Sequence, residues 1–372
     1  MSKVRIVLAG GGTAGHINPA LAIAQAIKAA DNKAEILFIG NQNSLEETLV
    51  KRAGFDIKFI KIQGLNRKQL HKNITTVKLL LKAIKEAEKI IKEFAPDVVV
   101  GTGGYVSGPV LFAAHKLGVH TCIHEQNAFP GLTSKILSRW VEKVFISFEN
   151  SAKYFKNSSK LILTGNPLRQ EFSALDRKQS RDKLGLKDDD FYVLSFGGSL
   201  GARVLNETML GIFEINKEKG EFVHCHAMGK LGKDWMPARM EKMDIPVGEP
   251  TGTYRISDYI HDMPCQMAAA DAVIARAGAI TIGEILAQGK ASILIPSPNV
   301  THNHQYHNAS ALAEKNAALM IEEKDLSAER LYEMILSLKQ DTSLQQALSR
   351  SAKNMAHCNA AQVIADEIQK LL

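Results

Sequence analysis

The sequence predicts an α/β protein made of two doubly wound, Rossmann-like domains. Short apolar, β-branched runs alternate with helix-patterned segments, as in a parallel sheet covered by helices. The pattern opens twice in the same way, a strand running into glycines and then a helix, at Gly10–Gly15 and again at Gly197–Gly201. The chain has 372 residues, more than one core of ordinary size accommodates.

Each element follows from its local pattern. Val4–Ala9 reads as a strand, and Pro19–Ala30 as a helix with Ala and Ile at helical spacing. Ile36–Ile39 is a second strand. Asp97–Val100 is another, followed by glycines and a helix over Pro109–Leu117. His120–His124 and Val144–Ser147 read as further strands. The charged stretch Lys183–Asp190 reads as the end of a linker, and the pattern restarts with the strand Tyr192–Phe196 and a helix from about Arg203. Val223–Ala227, Ala272–Ala275 and Ser292–Ile295 are later strands. Ala360–Leu371 is a final amphipathic helix able to pack on either domain.

Composition narrows the class. Hydrophobic residues are 45% and charged residues 23% of the chain, which excludes disordered, collagen-like and low-complexity readings. No apolar run approaches the ~18–20 residues of a membrane-spanning helix. The N-terminal apolar run is short and lacks a cleavage site, so it reads as a strand and not a signal peptide. Cys122, Cys225, Cys265 and Cys358 lie far apart with no CxxC pair. Neither a zinc site nor a disulfide framework is indicated, and a reducing compartment fits best. The formal net charge is +7, compatible with nucleic acid, an anionic membrane, a phosphorylated substrate or no partner at all.

The first glycine loop, Gly10-Gly11-Gly12-Thr13-Ala14-Gly15, fits GxGxxG between a strand and a helix. Glycines allow close backbone approach, and the helix N-terminus offers N–H groups to an anion. A dinucleotide site also needs an acid at the end of the second strand, to hold the ribose diol. That strand ends Phe38-Ile39-Gly40-Asn41, which weakens the dinucleotide reading. Gly101–Tyr105 and Gly197–Gly201 are two more such loops, neither with the Lys-Ser/Thr ending of a nucleotide-triphosphate loop. Three loops at strand C-termini point to phosphate recognition by at least two of them, with a diphosphate as ligand.

Polar residues cluster at the same strand ends. His16 follows the first loop at a helix N-terminus, whose positive end disfavours imidazolium. Alone it reads first as a capping or packing histidine; beside a phosphate site it is a candidate base. His124-Glu125-Gln126-Asn127 ends a strand, either as a ligand edge or as a hydrogen-bonded turn. Glu284 falls early in a helix starting at Ala279, where it can hold a ribose diol or simply favour the helix dipole. Thr301–Gln305 resembles a polar lip, but His302 and His304 without a third ligand make a poor metal site. Asp188-Asp189-Asp190 contains a DxD, yet it precedes a strand and reads as solvated linker. No metal site is expected.

Six ordered motifs carry a resemblance: GGGTAGHINPALA at Gly10–Ala22, GTGGYVSGP at Gly101–Pro109, HEQNAFPG at His124–Gly131, GNPLR at Gly165–Arg169, GGSLGAR at Gly197–Arg203 and RAGAITIGE at Arg276–Glu284. Over essentially its whole length the chain resembles the MurG family of bacterial peptidoglycan glycosyltransferases. The resemblance implies a GT-B fold, two Rossmann-like domains with an interdomain cleft. It implies an inverting transfer of N-acetylglucosamine from UDP-GlcNAc to the MurNAc 4-hydroxyl of undecaprenyl-pyrophosphoryl-MurNAc-pentapeptide (lipid I), giving lipid II. No cofactor is implied. The expected location is the cytoplasmic face of the cell membrane, with an anionic phospholipid surface as partner, no nucleic acid, and room for other cell-wall synthesis proteins. Residues 1–166 would form the acceptor- and membrane-side domain, completed by the helix within 355–372, and residues 167–354 the UDP-GlcNAc domain.

The resemblance also assigns residues. Thr13, Ala14 and Gly15 match first-loop donor contacts, and Asn127 and Arg169 further ones. Ser199 matches the loop that meets the diphosphate, and Ile260 the residue whose backbone reads the uracil. Ala279, Ile280, Thr281, Ile282, Gly283 and Glu284 match the helix at the donor, with Glu284 on the ribose. His304 and Gln305 match residues near the sugar. His16 and Glu125 match residues associated with catalysis, and Gly103, Gly104 and Tyr105 the acceptor side. Leu200 stands where the family commonly has glutamine, and Ala277 and Gly283 replace serines of some members.

The charge is local. Residues 58–92 hold ten Lys or Arg and two Glu, a net of +8, so the rest of the chain sums to −1. Within Asn66–Phe94, Val77, Leu80, Leu81, Ile84, Ala87, Ile91 and Phe94 recur at helical spacing and are expected to be buried. Lys78, Lys82, Lys85, Lys89 and Lys92 form a separate stripe, preceded by Arg67, Lys68, His71 and Lys72, with Leu79 at its border. Lysines and an exposed leucine suit an anionic membrane. An ordinary solvated helix face is the alternative.

Overall fold

The computed structural model describes residues 3–64, 73–169, 171–248 and 252–372. Arg67, Lys68, His71 and Lys72 lie outside the described residues. The chain divides into two compact units, one of residues 1–169 with 357–372 and one of residues 170–356. The division falls three residues later than expected, at 169/170. Asn166, the last residue expected in the first unit, is tied into it by bonds to Ser147 Oγ and the Gln126 carbonyl.

The first unit contains β1 (Arg5–Gly10), β2 (Glu35–Gly40), β3 (Asp56–Phe59), β4 (Val98–Gly103), β5 (His120–Glu125), β6 (Lys143–Ile146) and β7 (Leu161–Leu163). They form one parallel sheet in the order β3-β2-β1-β4-β5-β6-β7. Parallel strands need crossovers, supplied here by α1 (Ala14–Ala30), α2 (Leu45–Arg52), α3 (Asn73–Phe94), α4 (Gly104–Lys116) and α5 (Leu132–Leu137). Both sheet faces are covered, so β1 is apolar and buried from Ile6 onward. Ile6 and Leu8 join Ile23 of α1, while Val7 and Ala9 join Ala87 of α3 and Val110 of α4. The C-terminal helix Ala360–Gln369 packs on α1, with Ile364 and Ile368 fully buried. Each contributes about 1.5–3 kcal/mol. Lys143 Nζ binds Glu367 at 2.7 Å beside it.

In α3 the expected buried face holds for only half the helix. Ala83, Ala87, Ile90 and Ile91 are buried, in one core with Val106, Val110 and Leu111 of α4, and Ile84 and Phe94 border it. Val77, Leu80 and Leu81 are instead 51%, 37% and 59% exposed. Helical spacing sets which residues share a face, but burial requires an opposing element, and the α4 core engages only the later turns. Leu79 is half-buried, so it is not the exposed leucine.

The second unit contains β8 (Tyr192–Phe196), β9 (Val223–Ala227), β10 (Tyr254–Ser257), β11 (Ala272–Ala275), β12 (Ser292–Leu294) and β13 (Leu319–Met320). The order is β10-β9-β8-β11-β12-β13, again parallel. Under β8 and β9 lies a polar chain in an apolar core. Ser195 Oγ sits 2.8 Å from His224 Nε2 and 2.7 Å from His226 Nδ1, and His226 Nε2 is 3.2 Å from Asn206 Oδ1. Asn206 donates its amide to the Met228 carbonyl at 2.7 Å. Its oxygen therefore accepts from His226 Nε2–H, Ser195 donates to His226 Nδ1, and His224 Nε2–H donates to Ser195. His224 Nδ1 is left with a buried lone pair and no partner.

Burial holds three histidines neutral. It lowers His124 to about 4 and His226 to about 3, and holds His224, beside His226, well below its ordinary value. The folded chain takes these protons less readily than the unfolded chain, whose histidines titrate near 6.5. Their stabilising effect is complete above that pH and is lost as pH falls through it toward the folded values. Each such histidine removes up to about 1.4 kcal/mol per pH unit. Urea unfolding is expected to show stability dropping below about pH 6.5, with His224→Gln flattening the slope. A slope unchanged in that variant contradicts the assignment.

Candidate functional site

Each sheet reverses its direction of winding once, between β1 and β4 and between β8 and β11. Open α/β sheets bind ligands at such a point, beyond the strand C-termini. The glycine loops lie there: Gly10–Gly15 after β1, Gly103–Gly104 at the end of β4, and Gly197–Gly201 after β8.

In the first unit the loops after β1 and β4 interlock. Gly104 has φ +78, and a Cβ on it would lie 2.2 Å from the Gly11 carbonyl oxygen. Gly103 has φ +104, and a Cβ there would lie 2.6 Å from His16 Cδ2. The Tyr105 ring lies over Gly12. Thr13 caps α1 in an extended conformation without a side-chain cap bond, and the Thr13 carbonyl takes the His16 and Ile17 N–H groups. Ala14 and Gly15, the first two residues of α1, have no earlier helix carbonyl to reach. The structure thus brings Thr13, Ala14, Gly15, His16, Gly103, Gly104 and Tyr105 together.

His16 Nδ1 lies 3.2 Å from the Gly11 carbonyl and 3.2 Å from Thr13 Oγ1. A carbonyl only accepts, so Nδ1 carries the proton in the neutral ring and Nε2 is the basic nitrogen. Thr102 Oγ1 donates to the His16 carbonyl at 2.7 Å, tying α1 to β4.

Three of the four HEQN side chains turn inward: His124, Glu125 and Gln126 are at most 3% exposed. Glu125 Oε1 accepts from the Asn127 N–H at 3.0 Å and its Nδ2 at 3.2 Å, and Oε2 accepts from the Gly131 N–H at 3.0 Å. This carboxylate holds the turn that presents half-buried Asn127, and its buried, occupied oxygens do not suit the catalytic role expected for it. Gln126 bonds the Thr102 carbonyl at 2.7 Å and His124 Nδ1 at 2.9 Å. Arg169 is exposed at the end of the unit.

The second unit repeats the interlock. A Cβ on Gly201, at φ +79, would lie 2.2 Å from the Met228 carbonyl oxygen, and one on Gly229 would lie 2.1 Å from Gly201 N. The Lys230 N–H reaches the Ser199 carbonyl and the Leu231 N–H the Leu200 carbonyl. Ser199 is exposed at the loop tip, before the helix Arg203–Lys219. Ile260 is buried beyond β10. After β11 the helix Ala279–Gln288 begins without a side-chain cap. Ala279 and Ile282 point into the core, leaving Ile280, Thr281, Gly283 and Glu284 partly exposed. Gln305 Oε1 accepts the Ser297 N–H at 2.8 Å, and His304 Nδ1 reaches the Thr301 carbonyl at 2.9 Å. His302 and Asn303 before them have φ of +53 and +50.

Sequence reasoning missed several supporting residues. Glu46 is a buried acid beside the first loop, although Ser44 and Glu47 have the capping-box spacing that puts Glu46 in the first turn of α2. Asn206 supports the Met228 carbonyl. Arg276 pairs with Glu323 and bonds the Ile295 carbonyl, bracing the loop after β12. Among the described residues no three His, Cys, Asp or Glu side chains are grouped to hold a metal ion.

The glycosyltransferase family 28 N-terminal domain matches residues 6–146, and the family 28 C-terminal domain matches residues 192–368. The chain belongs to glycosyltransferase family 28. A family 28 relative from Acetivibrio thermocellus is 45% identical over 99% of this chain and 98% of its own length. It is named UDP-N-acetylglucosamine--N-acetylmuramyl-(pentapeptide) pyrophosphoryl-undecaprenol N-acetylglucosamine transferase. A Finegoldia magna protein of the same name is 38% identical over 99% of this chain and 98% of its own. The crystal structure of Acinetobacter baumannii MurG matches with TM-score 0.78 at 29% identity, covering 99% of this chain and 100% of that one. UDP-GlcNAc 2-epimerase from Neisseria meningitidis, solved with UDP-GlcNAc bound, matches at TM-score 0.68 and 13% identity over 99% of this chain and 100% of that one, a likeness of fold. The two units are those of a GT-B fold.

The interlocks make the glycines unequal. Gly104→Ala and Gly201→Ala meet backbone oxygens, whereas a Cβ on Gly198, at φ +87, meets nothing within 4 Å. Gly198→Ala is expected to cost about 1–2 kcal/mol from its backbone conformation alone, and the other two clearly more. Denaturant melts of the three variants check the ranking.

Proposed function

We propose that this family 28 chain transfers N-acetylglucosamine from UDP-GlcNAc to the MurNAc 4-hydroxyl of lipid I, forming lipid II. The observation that carries this reading is the near full-length match to relatives named for that transfer. The site geometry supports it, because His16 is held with Nε2 as its basic nitrogen among the loops after β1 and β4.

The reaction is a single in-line displacement. The acceptor hydroxyl attacks C1, its proton passes to His16 Nε2, and UDP leaves from the opposite face with inversion. Charge grows on the departing diphosphate. The loop Gly198–Gly201, Ser199 and the N-termini of the helices Arg203–Lys219 and Ala279–Gln288 meet that charge with fixed N–H dipoles. This needs no metal or cofactor. Glu284 holds the ribose hydroxyls, Gln305 and His304 the sugar, and the Ile260 backbone the uracil. Thr13, Ala14, Gly15, Asn127 and Arg169 complete the donor contacts, and Gly103, Gly104 and Tyr105 face the acceptor.

A lipid-linked acceptor places the enzyme on the cytoplasmic face of the membrane. Among the described residues no helix is long and apolar enough to cross it. Docking falls to α3, where Val77, Leu80 and Leu81 are exposed beside Lys78, Lys82 and Lys85. Phe112 of α4 and Trp140, in the turn after α5, meet edge to face at 5.5 Å, with Leu132 and Ile136 of α5 also exposed. Exposed apolar side chains with lysines beside them on α3 suit an anionic lipid surface.

The decisive assay is lipid II formation from UDP-GlcNAc and a lipid I analogue, with and without a chelator; full turnover with the chelator is expected. His16→Ala should lower kcat by about 10²–10⁴-fold with donor KM kept, and Glu284→Ala should mainly raise donor KM. Full turnover by His16→Ala refutes the base. Tight NADH binding without UDP-GlcNAc binding by calorimetry refutes the function. Reversing Lys78, Lys82 and Lys85 to Glu should weaken binding to anionic vesicles roughly 100-fold; unchanged binding refutes the docking face.

A further inference from the structure

Glu46 is 1% exposed, and among the described residues no Lys or Arg pairs with it. A buried carboxylate without a cation is costly to keep. Its partners are backbone donors. Oε2 accepts the Gly12 N–H at 3.2 Å, and Oε1 accepts the Asn41 N–H at 3.1 Å. The surrounding residues make room for it. A Cβ on Gly11 would lie 2.5 Å from Glu46 Oε1, and one on Gly40 would lie 2.8 Å from Glu46 Cγ. The acid missing from the end of β2 is thus supplied by α2, but it is turned onto the backbone and unavailable to a ribose.

The Gly12 N–H and the Gly11 carbonyl belong to one peptide group. In a trans peptide they point in opposite directions. Glu46 holds the N–H end, and the carbonyl end receives His16 Nδ1. A peptide between two glycines has little intrinsic preference for one orientation, and Gly12 sits at φ +86. Something must choose the face on which its carbonyl lies. A carboxylate on the N–H also polarises the group and strengthens the carbonyl as an acceptor.

We propose that Glu46 is a positioning residue for His16, acting through the Gly11–Gly12 peptide to fix the Nδ1–H tautomer and leave Nε2 basic. This rests on His16 as the base. No bond is made or broken; the carboxylate, the peptide and the imidazole are hydrogen-bonded in series.

The test is Glu46→Gln in the full chain. The amide keeps one acceptor and turns a donor toward the other N–H, so the peptide loses its restraint with little change of shape. Long-range proton–nitrogen NMR of His16 is the first readout and needs no substrate. The wild type is expected as the Nδ1–H tautomer, and Glu46→Gln should move toward Nε2–H. The second readout is turnover, expected to fall about 10- to 100-fold, with the acid limb of the kcat profile moving to lower pH. In a His16→Ala background the same substitution should cost little, because its route to the chemistry is gone. Glu46→Asp, which keeps the charge on a shorter arm, should fall between. An unchanged tautomer overturns the proposal, as does an equal turnover loss with and without His16. Full turnover by His16→Ala with the tautomer shift intact would instead remove the base assignment and leave the positioning link standing.

Discussion

The approach of Gly104 to the Gly11 carbonyl is too close for any side chain, and the first unit's site is built on it. Adjacent parallel strands lie about 4.8 Å apart, so loops leaving β1 and β4 on the same edge compete for one volume. Glycine at both crossings lets the loops pass over each other in contact. His16 then lies against Gly103 and Tyr105 against Gly12. The second unit meets the same constraint with Gly201 and Gly229, backed by the Met228 carbonyl that Asn206 holds from below. The two units share a solution as well as a topology.

What could be read from the sequence followed burial. Strands inside both sheets were legible, because β1, β4, β8 and β11 are covered on both faces and written in nearly uninterrupted apolar letters. The four strands that escaped, β3, β7, β10 and β13, are the outer strands of the two sheets. Asp56–Phe59 alternates exposed and half-buried, and Leu319–Met320 is two residues long. Such strands depend on their neighbour for definition and leave little pattern of their own. In α3 the spacing correctly grouped Val77, Leu80 and Leu81 with Ala87 and Ile91, but a periodic pattern carries no record of where the opposing helix core stops.

For the polar residues, type was legible and direction was not. HEQN reads as four chemically capable side chains at a ligand edge. Yet His124, Glu125 and Gln126 are used up in holding Gly165, Gly131 and Thr102, and the turn presents Asn127. Glu46 went unnoticed for the converse reason. An acid in the first turn of a short helix is commonplace, and only its contact with Gly12, 34 residues away in sequence, distinguishes it. Residues that organise a site through the backbone leave no motif, because the groups they address are the same in every amino acid.

The helix Ala360–Gln369 covers α1 of the first unit, although the whole of residues 170–356 intervenes in the chain. During synthesis, β1 to β7 emerge long before the segment that seals Ile6, Leu8 and Ile23. The second unit, continuous in sequence, can close as soon as it is complete, while the first must wait with an apolar face uncovered. Contacts of such long sequence separation form late, and surfaces that await them are prone to misassociation. The first unit begins the chain and is completed only by its last helix, so its apolar face stays open for as long as the second unit takes to be made.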